Sequence, residues 1–177
     1  IVGFTAWSSD KSPKEVVEML SHMFREFDKS CVDLNVYKVH TIGDCYVVMS
    51  YVESQHRDEA LECFNMVKMA QRMLEIIQKV NEECGSELNM RIGLHTGKVI
   101  AGIIGTHIVR YDIYGPDVLI ANKMESGGEA GKINVSDRTK ELLESKFPFF
   151  NYELNKQVEV KCINRVHNSY FLSVTKS

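Results

Sequence analysis

The sequence has 177 residues, of which 44% are hydrophobic and 25% charged, and this length and composition suit one compact domain with a hydrophobic core. Its net charge of -3 argues against a broad nucleic-acid surface, and five scattered cysteines without a CxxC pair argue against a zinc site and favour a reducing, cytosolic setting. There is no secretory signal and no apolar run near the roughly 18 residues of a membrane span, so we expect no membrane contact by this domain itself.

The first half of the sequence alternates strand-like and helical patterns. The opening IVGF is apolar and rich in β-branched residues, which predicts the end of a buried strand. Ser12 as N-cap, Glu15 three residues later and apolar residues at helical spacing predict a helix. The runs 35–41 and 45–52 around Gly43 predict a tight hairpin, and amphipathic spacing predicts a second helix over about 58–81.

The second half begins with runs 90–95 and 99–104, which predict another strand pair around Thr96-Gly97. The order up to that point is βαββαβ, the arrangement of ferredoxin-like palms. The remaining predicted strands and helices are 110–114, 118–125 (helix), 132–135, 137–144 (helix), 149–153, 158–163 and 170–174. The predicted class is α+β, a ferredoxin-like palm with additional C-terminal strands and helices, in a single domain over 1–177.

Asp44 is the first candidate for chemistry. A carboxylate at a hairpin tip, directly after a glycine, projects from the sheet edge where a cation can reach it. Mg²⁺ binds through one or two carboxylates plus substrate phosphates, so such a position suits it. The alternative is a turn aspartate that bonds its own backbone, which is the commoner role on spacing alone. His95 is typical of a hydrogen-bonded strand histidine rather than a metal ligand.

Two further segments are candidates for anion contacts. Small residues in the Gly3-Phe4-Thr5 segment let backbone N–H groups approach a phosphate near a helix start, although an ordinary strand-to-helix loop is the alternative. Arg91 lies among apolar neighbours and needs an anionic partner, either a triphosphate or an acidic side chain. Lys123 and Glu125, on the predicted short helix, are interpreted as solvated charges.

Five segments taken together resemble the successive signature blocks of class III adenylyl and guanylyl cyclase catalytic domains. In chain order they are IVGFTAWS, YKVHTIGDCYVVMS, LNMRIGLHTGKVIAGIIG, YDIYGPDVLIANKMES and GKINVSDRT. The resemblance implies the nucleotide cyclase fold and a head-to-tail dimer with nucleotide sites at the interface. One half holds two metal ions with two aspartates. The other half supplies base-reading residues, a transition-state Asn/Arg pair and a phosphate-binding lysine.

Carried over residue by residue, one half of such a site is nearly complete. Asp44 matches the second metal aspartate, which makes it the catalytic and metal-binding candidate. Ile1 matches the position whose backbone carbonyl assists the second metal, and the first aspartate is expected just before Ile1, so the chain is expected to be truncated within its first motif. The Gly3-Phe4-Thr5 segment and Arg91 match phosphate-binding positions. The implied cofactor is a pair of Mg²⁺ ions, for which Mn²⁺ can substitute.

The complementary half of the site lacks its functional residues in this sequence. The family's transition-state asparagine aligns with Leu119 and its arginine with Lys123, which lacks the planar fork of a guanidinium. The usual phosphate lysine has no clear counterpart, with Arg165 the nearest candidate. His40 and Asp112 match base-reading positions and, beside Leu119 and Lys123, would line a degenerate base pocket. The pattern therefore resembles the metal-bearing half of pseudo-heterodimeric cyclases.

The implied function is half of a purine nucleotide cyclase that forms a 3′,5′-cyclic nucleotide and pyrophosphate from GTP or ATP. Similarity to protist two-half guanylyl cyclases favours GTP. The expected partner is a complementary cyclase domain, in the same parent chain or a heterodimer, with a homodimer in isolation left open, and the expected location is the cytoplasmic part of a larger membrane protein. The alternatives are an inactive regulatory or dimerisation domain, which retention of Asp44 and Arg91 disfavours, and a ferredoxin-like binding module.

Overall fold

The computed structural model describes residues 1–50, 57–107 and 109–174, and its elements give the expected α+β class. The helices are α1 (Phe4–Ser9), α2 (Pro13–Asp33), α3 (Glu59–Cys84), α4 (Pro116–Ser126) and α5 (Asp137–Lys146). The strands are β1 (Val36–Ile42), β2 (Cys45–Ser50), β3 (Ile92–Leu94), β4 (Ile100–Ile104), β5 (Arg110–Tyr114), β6 (Ile133–Ser136), β7 (Phe150–Val160) and β8 (Arg165–Val174). The last two residues of the strand predicted over 45–52 lie outside the described residues.

Three sheets lie within the described part of the chain. The antiparallel hairpin β1-β2 turns at Gly43, whose φ of 57° is in the left-handed region that favours glycine, and this confirms the predicted hairpin. The second sheet has four strands in the order β3-β6-β8-β7, with β3 and β6 parallel and the other pairs antiparallel. The third is the antiparallel hairpin β4-β5.

Helices α2 and α3 supply most of the core that these sheets cover. The predicted start of α2 is confirmed, because the Ser12 hydroxyl accepts from the Glu15 N–H while the Glu15 carboxylate accepts from the Ser12 N–H. Both helices bury one face, made of Met19, Met23, Phe27 and Cys31 in α2 and of Cys63, Val67, Ala70, Met73 and Ile77 in α3. Within the described residues, none of the helices has the length and apolar character of a bilayer span.

The structure differs from the sequence predictions at three places. The opening residues form no strand: Val2 makes a single bridge with Asn89, and a positive φ at Gly3 turns the chain into α1. The predicted strand pair around Thr96-Gly97 is wrong, since β3 pairs with β6 and β4 pairs with β5. The two strands predicted over 149–153 and 158–163 are one long strand, β7, which ends at Val160, and Lys161–Ile163 form a short 3-10 helix.

Helix α4 lies directly on β3, and Gly93 is the residue that permits this approach. A Cβ at Gly93 would overlap the backbone of Glu125 in α4. Because neither backbone can move away without breaking its own hydrogen bonds, a side chain at this position has no space. The closeness of α4 to β3 therefore depends on glycine at position 93.

We expect Gly93→Ala to lower the free energy of unfolding by roughly 2–3 kcal/mol, because the added methyl group meets backbone rather than a flexible side chain. The matched control is Gly102→Ala in β4, where nothing lies within 4 Å of the added carbon. Urea unfolding followed by circular dichroism measures both variants. Equal stability of Gly93→Ala and Gly102→Ala would mean that α4 does not rest on β3 in solution.

Candidate active site

Asp44 lies in the turn between β1 and β2, where its carboxylate meets the start of the chain. Its Oδ2 accepts from the terminal amine of Ile1 at 2.8 Å, and the Asp44 side chain is about one-third exposed (34%). The bridge between Val2 and Asn89 holds Ile1 in this place. The structure thus brings two of the predicted metal-site residues together across 43 positions of sequence.

The donor set around Asp44 fits part of a magnesium site. The carboxylate is partly open to solvent, and carboxylate oxygens are ligands that Mg²⁺ prefers. Among residues 1–50, 57–107 and 109–174, no group of three or more His, Cys, Asp or Glu side chains is placed to hold a metal ion. A complete site therefore needs further oxygen ligands besides the Asp44 side chain.

Arg91 has an acidic partner in this structure. Its Nε donates to Glu125 Oε1 at 2.7 Å, and both side chains are about 40% exposed (39% and 40%). Ile1, Asp44, Arg91 and Glu125 all line the same groove. Glu125 is therefore not only a solvated charge, as the sequence predicts, but also the acidic partner of Arg91. The sequence feature that could have identified this pairing is the need of Arg91 for an anionic partner.

The Gly3-Phe4-Thr5 segment is not a loop between a strand and a helix but the beginning of α1 itself. Gly3 is the N-cap, with φ 84° and no side-chain cap, and its carbonyl accepts from Trp7 N–H at 2.9 Å. Thr5 is exposed, and Phe4 packs at a tilt against Trp7 with ring centroids 6.1 Å apart. Since Val2 alone separates this turn from Ile1, the first N–H groups of α1 lie close in sequence to the Asp44 contact.

His40 and Asp112, the two predicted base-pocket residues, are brought together from β1 and β5. His40 Nδ1 lies 3.0 Å from Asp112 Oδ1, and both side chains are largely buried. The two groups are not aligned as a hydrogen bond, because His40 Nδ1 has no hydrogen-bond partner. Arg110 also lies near this carboxylate, with its Nε 3.6 Å from Asp112 Oδ2. The Asp112 carboxylate therefore already has two side chains of the same chain, His40 and Arg110, close to it.

Leu119 and Lys123 lie on the outer face of α4. The next residue along the chain in each case, Ile120 and Met124, lies about 100° round the helix and is fully buried. Leu119 is exposed (42%) despite its apolar side chain, and Lys123 is exposed as well. The positions aligned with the transition-state pair thus belong to the surface of the domain.

A buried network around His95 was only partly predicted from the sequence. His95 Nδ1 lies 2.7 Å from Ser136 Oγ and its Nε2 3.1 Å from Asp117 Oδ1, which confirms a hydrogen-bonded histidine. Asp117 also accepts from the backbone N–H of Lys98 at 2.9 Å and from Arg165 at 3.4 Å. Arg165, the nearest candidate for a phosphate-binding lysine, is therefore the partner of a carboxylate.

The comparisons with known proteins place this geometry among the cyclases. Residues 1–174 match the model of the adenylate and guanylate cyclase catalytic domain. The chain is 44% identical over 154 residues to the head-specific guanylate cyclase of Drosophila melanogaster (87% of this chain, 22% of that protein). It is 41% identical over 182 residues to a guanylate cyclase of Toxoplasma gondii (99% of this chain, 4% of that protein). It therefore spans less than a quarter of these curated relatives.

A solved structure agrees over nearly the full length. The crystal structure of the guanylate cyclase domain of RhGC from Catenaria anguillulae, in complex with GTP, matches with a TM-score of 0.86 and 31% identity. The match covers 99% of this chain and 93% of that one. The adenylyl cyclase CyaB from P. aeruginosa has the same fold, with a TM-score of 0.87 at 22% identity over 99% of this chain and 90% of that one.

His95 makes the stability of the domain depend on pH. Burial lowers the pKa of His95 below its ordinary value, and the Asp117 carboxylate opposes this only in part. The unfolded chain then binds the proton more readily, so this stability is present above about pH 6.5 and is lost as pH falls from there. We expect His95→Gln to lose less stability than the wild type between pH 7.5 and 5.5 in thermal unfolding. A parallel loss in both proteins would contradict a neutral, buried His95.

Proposed function

The chain belongs to the adenylate and guanylate cyclase catalytic domain family, and on that premise we propose that it is the metal-binding half of a class III purine nucleotide cyclase. The product is a 3′,5′-cyclic nucleotide with release of pyrophosphate, from GTP in preference to ATP. The observation that carries the proposal is the unequal state of the two halves of the site. Ile1, Asp44 and Arg91 line one groove, whereas Leu119 and Lys123 stand where the complementary half needs Asn and Arg.

At the α-phosphorus one bond forms and one breaks. The 3′-oxygen of the nucleotide bonds to the α-phosphorus, the bond from that phosphorus to the oxygen bridging to the β-phosphate breaks, and the hydroxyl proton is released. Cyclase catalytic domains generally use divalent metal ions, and we assign two Mg²⁺ here, replaceable by Mn²⁺, which neutralise phosphate charge and activate the hydroxyl. Asp44 would hold them with the Ile1 carbonyl and a carboxylate placed before Ile1.

Arg91 and the start of α1 would bind the triphosphate. The exposed pair of Arg91 with Glu125 contributes only about 0–1 kcal/mol, so a ligand with several negative charges can replace the glutamate. The guanidinium fork suits two phosphate oxygens at once. In the Gly3-Phe4-Thr5 segment the N-cap has no side-chain partner for the first N–H groups, which are free to contact phosphate.

The other half of the site must come from a partner. Leu119 has no polar atom with which to hold a ribose, and His40 and Asp112 contact each other instead of presenting a base-reading pair. Like Leu119, several apolar side chains in and next to β4 and β5 are exposed and suit a protein partner, namely Val99, Ile100, Ile103, Ile104, Val109 and Tyr114. We assign this surface to a complementary cyclase domain, in the same parent chain or in a separate one.

The five free cysteines support a cytoplasmic location for this half, within a larger membrane protein. An inactive regulatory domain is not favoured, since such a domain has no need of Asp44 and Arg91 in one groove.

Asp44→Asn tests the metal-binding role in the intact parent protein. Loss of one charged metal ligand removes several kcal/mol of transition-state stabilisation, so turnover should fall by about 10²–10³-fold with unchanged unfolding behaviour. The control is Asp33→Asn, an exposed carboxylate that pairs with Arg72. Cyclic nucleotide formation from GTP and from ATP, titrated with Mg²⁺ and Mn²⁺, measures both variants and the isolated chain.

The isolated chain should give less than about 1% of the turnover of the intact protein. Wild-type turnover in a folded Asp44→Asn variant would mean that Asp44 is only a turn residue and does not bind the metal. Turnover of the isolated chain at about 1–10 s⁻¹, an ordinary enzyme rate, would refute the assignment of this chain as one half.

The choice of base should be set by the partner half. In the intact protein, His40→Glu, His40→Lys and Asp112→Cys should change the GTP-to-ATP ratio of kcat/KM by less than about threefold. A pocket that reads a base through hydrogen bonds discriminates by orders of magnitude, so a true reader would be evident. A change of about tenfold or more, equivalent to roughly 1.4 kcal/mol, would mean that this half reads the base.

A further inference from the structure

The backbone of Glu125 is held more firmly than the exposure of its side chain suggests. A Cβ at Gly93 would lie 2.0 Å from the Glu125 backbone nitrogen, so this part of α4 rests on β3. The buried Asn134 amide donates to the Met124 carbonyl at 2.8 Å, and Gly128 N–H donates to the Glu125 carbonyl at 2.9 Å. The backbone of Glu125 is therefore fixed, while its side chain is 40% exposed and can change its rotamer.

Arg91 is confined along its stem and open at its end. A Cβ at Gly128 would lie 3.3 Å from Arg91 Cγ, so the methylene groups of Arg91 pass close beside this glycine. The Arg91 Nε–H donates to Glu125 Oε1 at 2.7 Å, in the groove that Asp44 also lines. A guanidinium has five N–H donors in a planar fork, and Glu125 uses the one on Nε. Two fixed stems thus bring together a cation and an anion whose ends can move.

Glu125 competes with any phosphate that binds the same edge of Arg91. A bidentate phosphate contact to that edge needs the Nε–H that Glu125 now accepts. A phosphate oxygen there would also lie close to the carboxylate, and two like charges repel each other. An exposed ion pair contributes little free energy, so the phosphate can break it. Because Glu125 belongs to the same chain, its effective concentration at Arg91 stays constant, and the carboxylate returns whenever the phosphate leaves.

We propose that Glu125 is a positioning residue that acts through Arg91: its carboxylate holds the guanidinium in the empty groove, releases it to the triphosphate and takes it back as pyrophosphate leaves. This inference rests on the proposed function, in which Arg91 binds the triphosphate of the nucleotide. Glu125 weakens the binding of the nucleotide, and it weakens the binding of pyrophosphate by a similar factor. The product therefore leaves the groove more readily than it would leave an unpaired Arg91.

Glu125→Gln tests this competition in the intact parent protein, because it removes the negative charge and keeps the size of the side chain. The KM for GTP and the inhibition constant of inorganic pyrophosphate should both fall about three- to tenfold, through loss of the ion pair and of the repulsion. The value of kcat should change by less than about twofold, because Arg91 holds the phosphates before and during the reaction alike. Glu125→Asp keeps the charge and should stay within about twofold of the wild type in all three constants.

The matched control is Glu129→Gln. Glu129 is an exposed glutamate that pairs with Lys132 at 2.7 Å and does not line the groove. All three constants should keep their wild-type values in this variant. Thermal unfolding of each variant checks that it is folded.

A second measurement observes Arg91 directly and needs no turnover. In the isolated chain without metal ions, the proton–nitrogen resonance of Arg91 Nε–Hε reports the partner of that donor, and Arg91→Lys assigns the resonance by its loss. Inorganic pyrophosphate should move the resonance in the wild type. Glu125→Gln should reach the same end position at about three- to tenfold less pyrophosphate.

A resonance that pyrophosphate does not move in the wild type would overturn the proposal, whether or not the variant folds. Pyrophosphate binding to Glu125→Gln that is as weak as to the wild type, or weaker, would overturn it too, because Glu125 would then support phosphate binding instead of competing with it. The titration measures no reaction, so its result stands even if the parent protein forms no cyclic nucleotide. Failure of the proposed function is thereby distinguished from failure of this inference.

Discussion

The contact between α4 and β3 at Gly93 is the constraint on which the rest of the site depends. Without a side chain at Gly93 the helix backbone lies directly on the strand, and a hydrogen-bonded pair of side chains then fixes each end of this contact. At one end Arg91 meets Glu125, and at the other His95 meets Asp117. These two pairs differ in burial. His95 is only 2% exposed and is held rigidly, whereas Arg91 is 39% exposed, so the rigid end can fix α4 while the open end exchanges partners.

The packing of α4 on β3 also explains how one half of the site can keep its functional residues while the other half loses them. Because Ile120 and Met124 of α4 are buried, Leu119 and Lys123 lie on the exposed face of the helix. Residues on that face would contact a domain that packs against it, whereas Asp44 and Arg91 line the groove of this chain. Loss of polar groups at Leu119 therefore leaves the groove intact, and a domain can keep one role without the other.

Features that depend on residues close together in the sequence could be predicted from it, and features that depend on distant residues could not. The hairpin at Gly43 and the capping box of Ser12 and Glu15 are set by neighbouring residues, and both are present as predicted. The pairing of β3 is set across the chain, by β6, so adjacency in sequence led to the wrong partner. For Arg91 the sequence indicated the need for an anion but not its source, because Glu125 is 34 residues away and is brought close only by the α4 contact. The contact between His40 and Asp112 was hidden for the same reason, since β1 and β5 meet only in the folded chain.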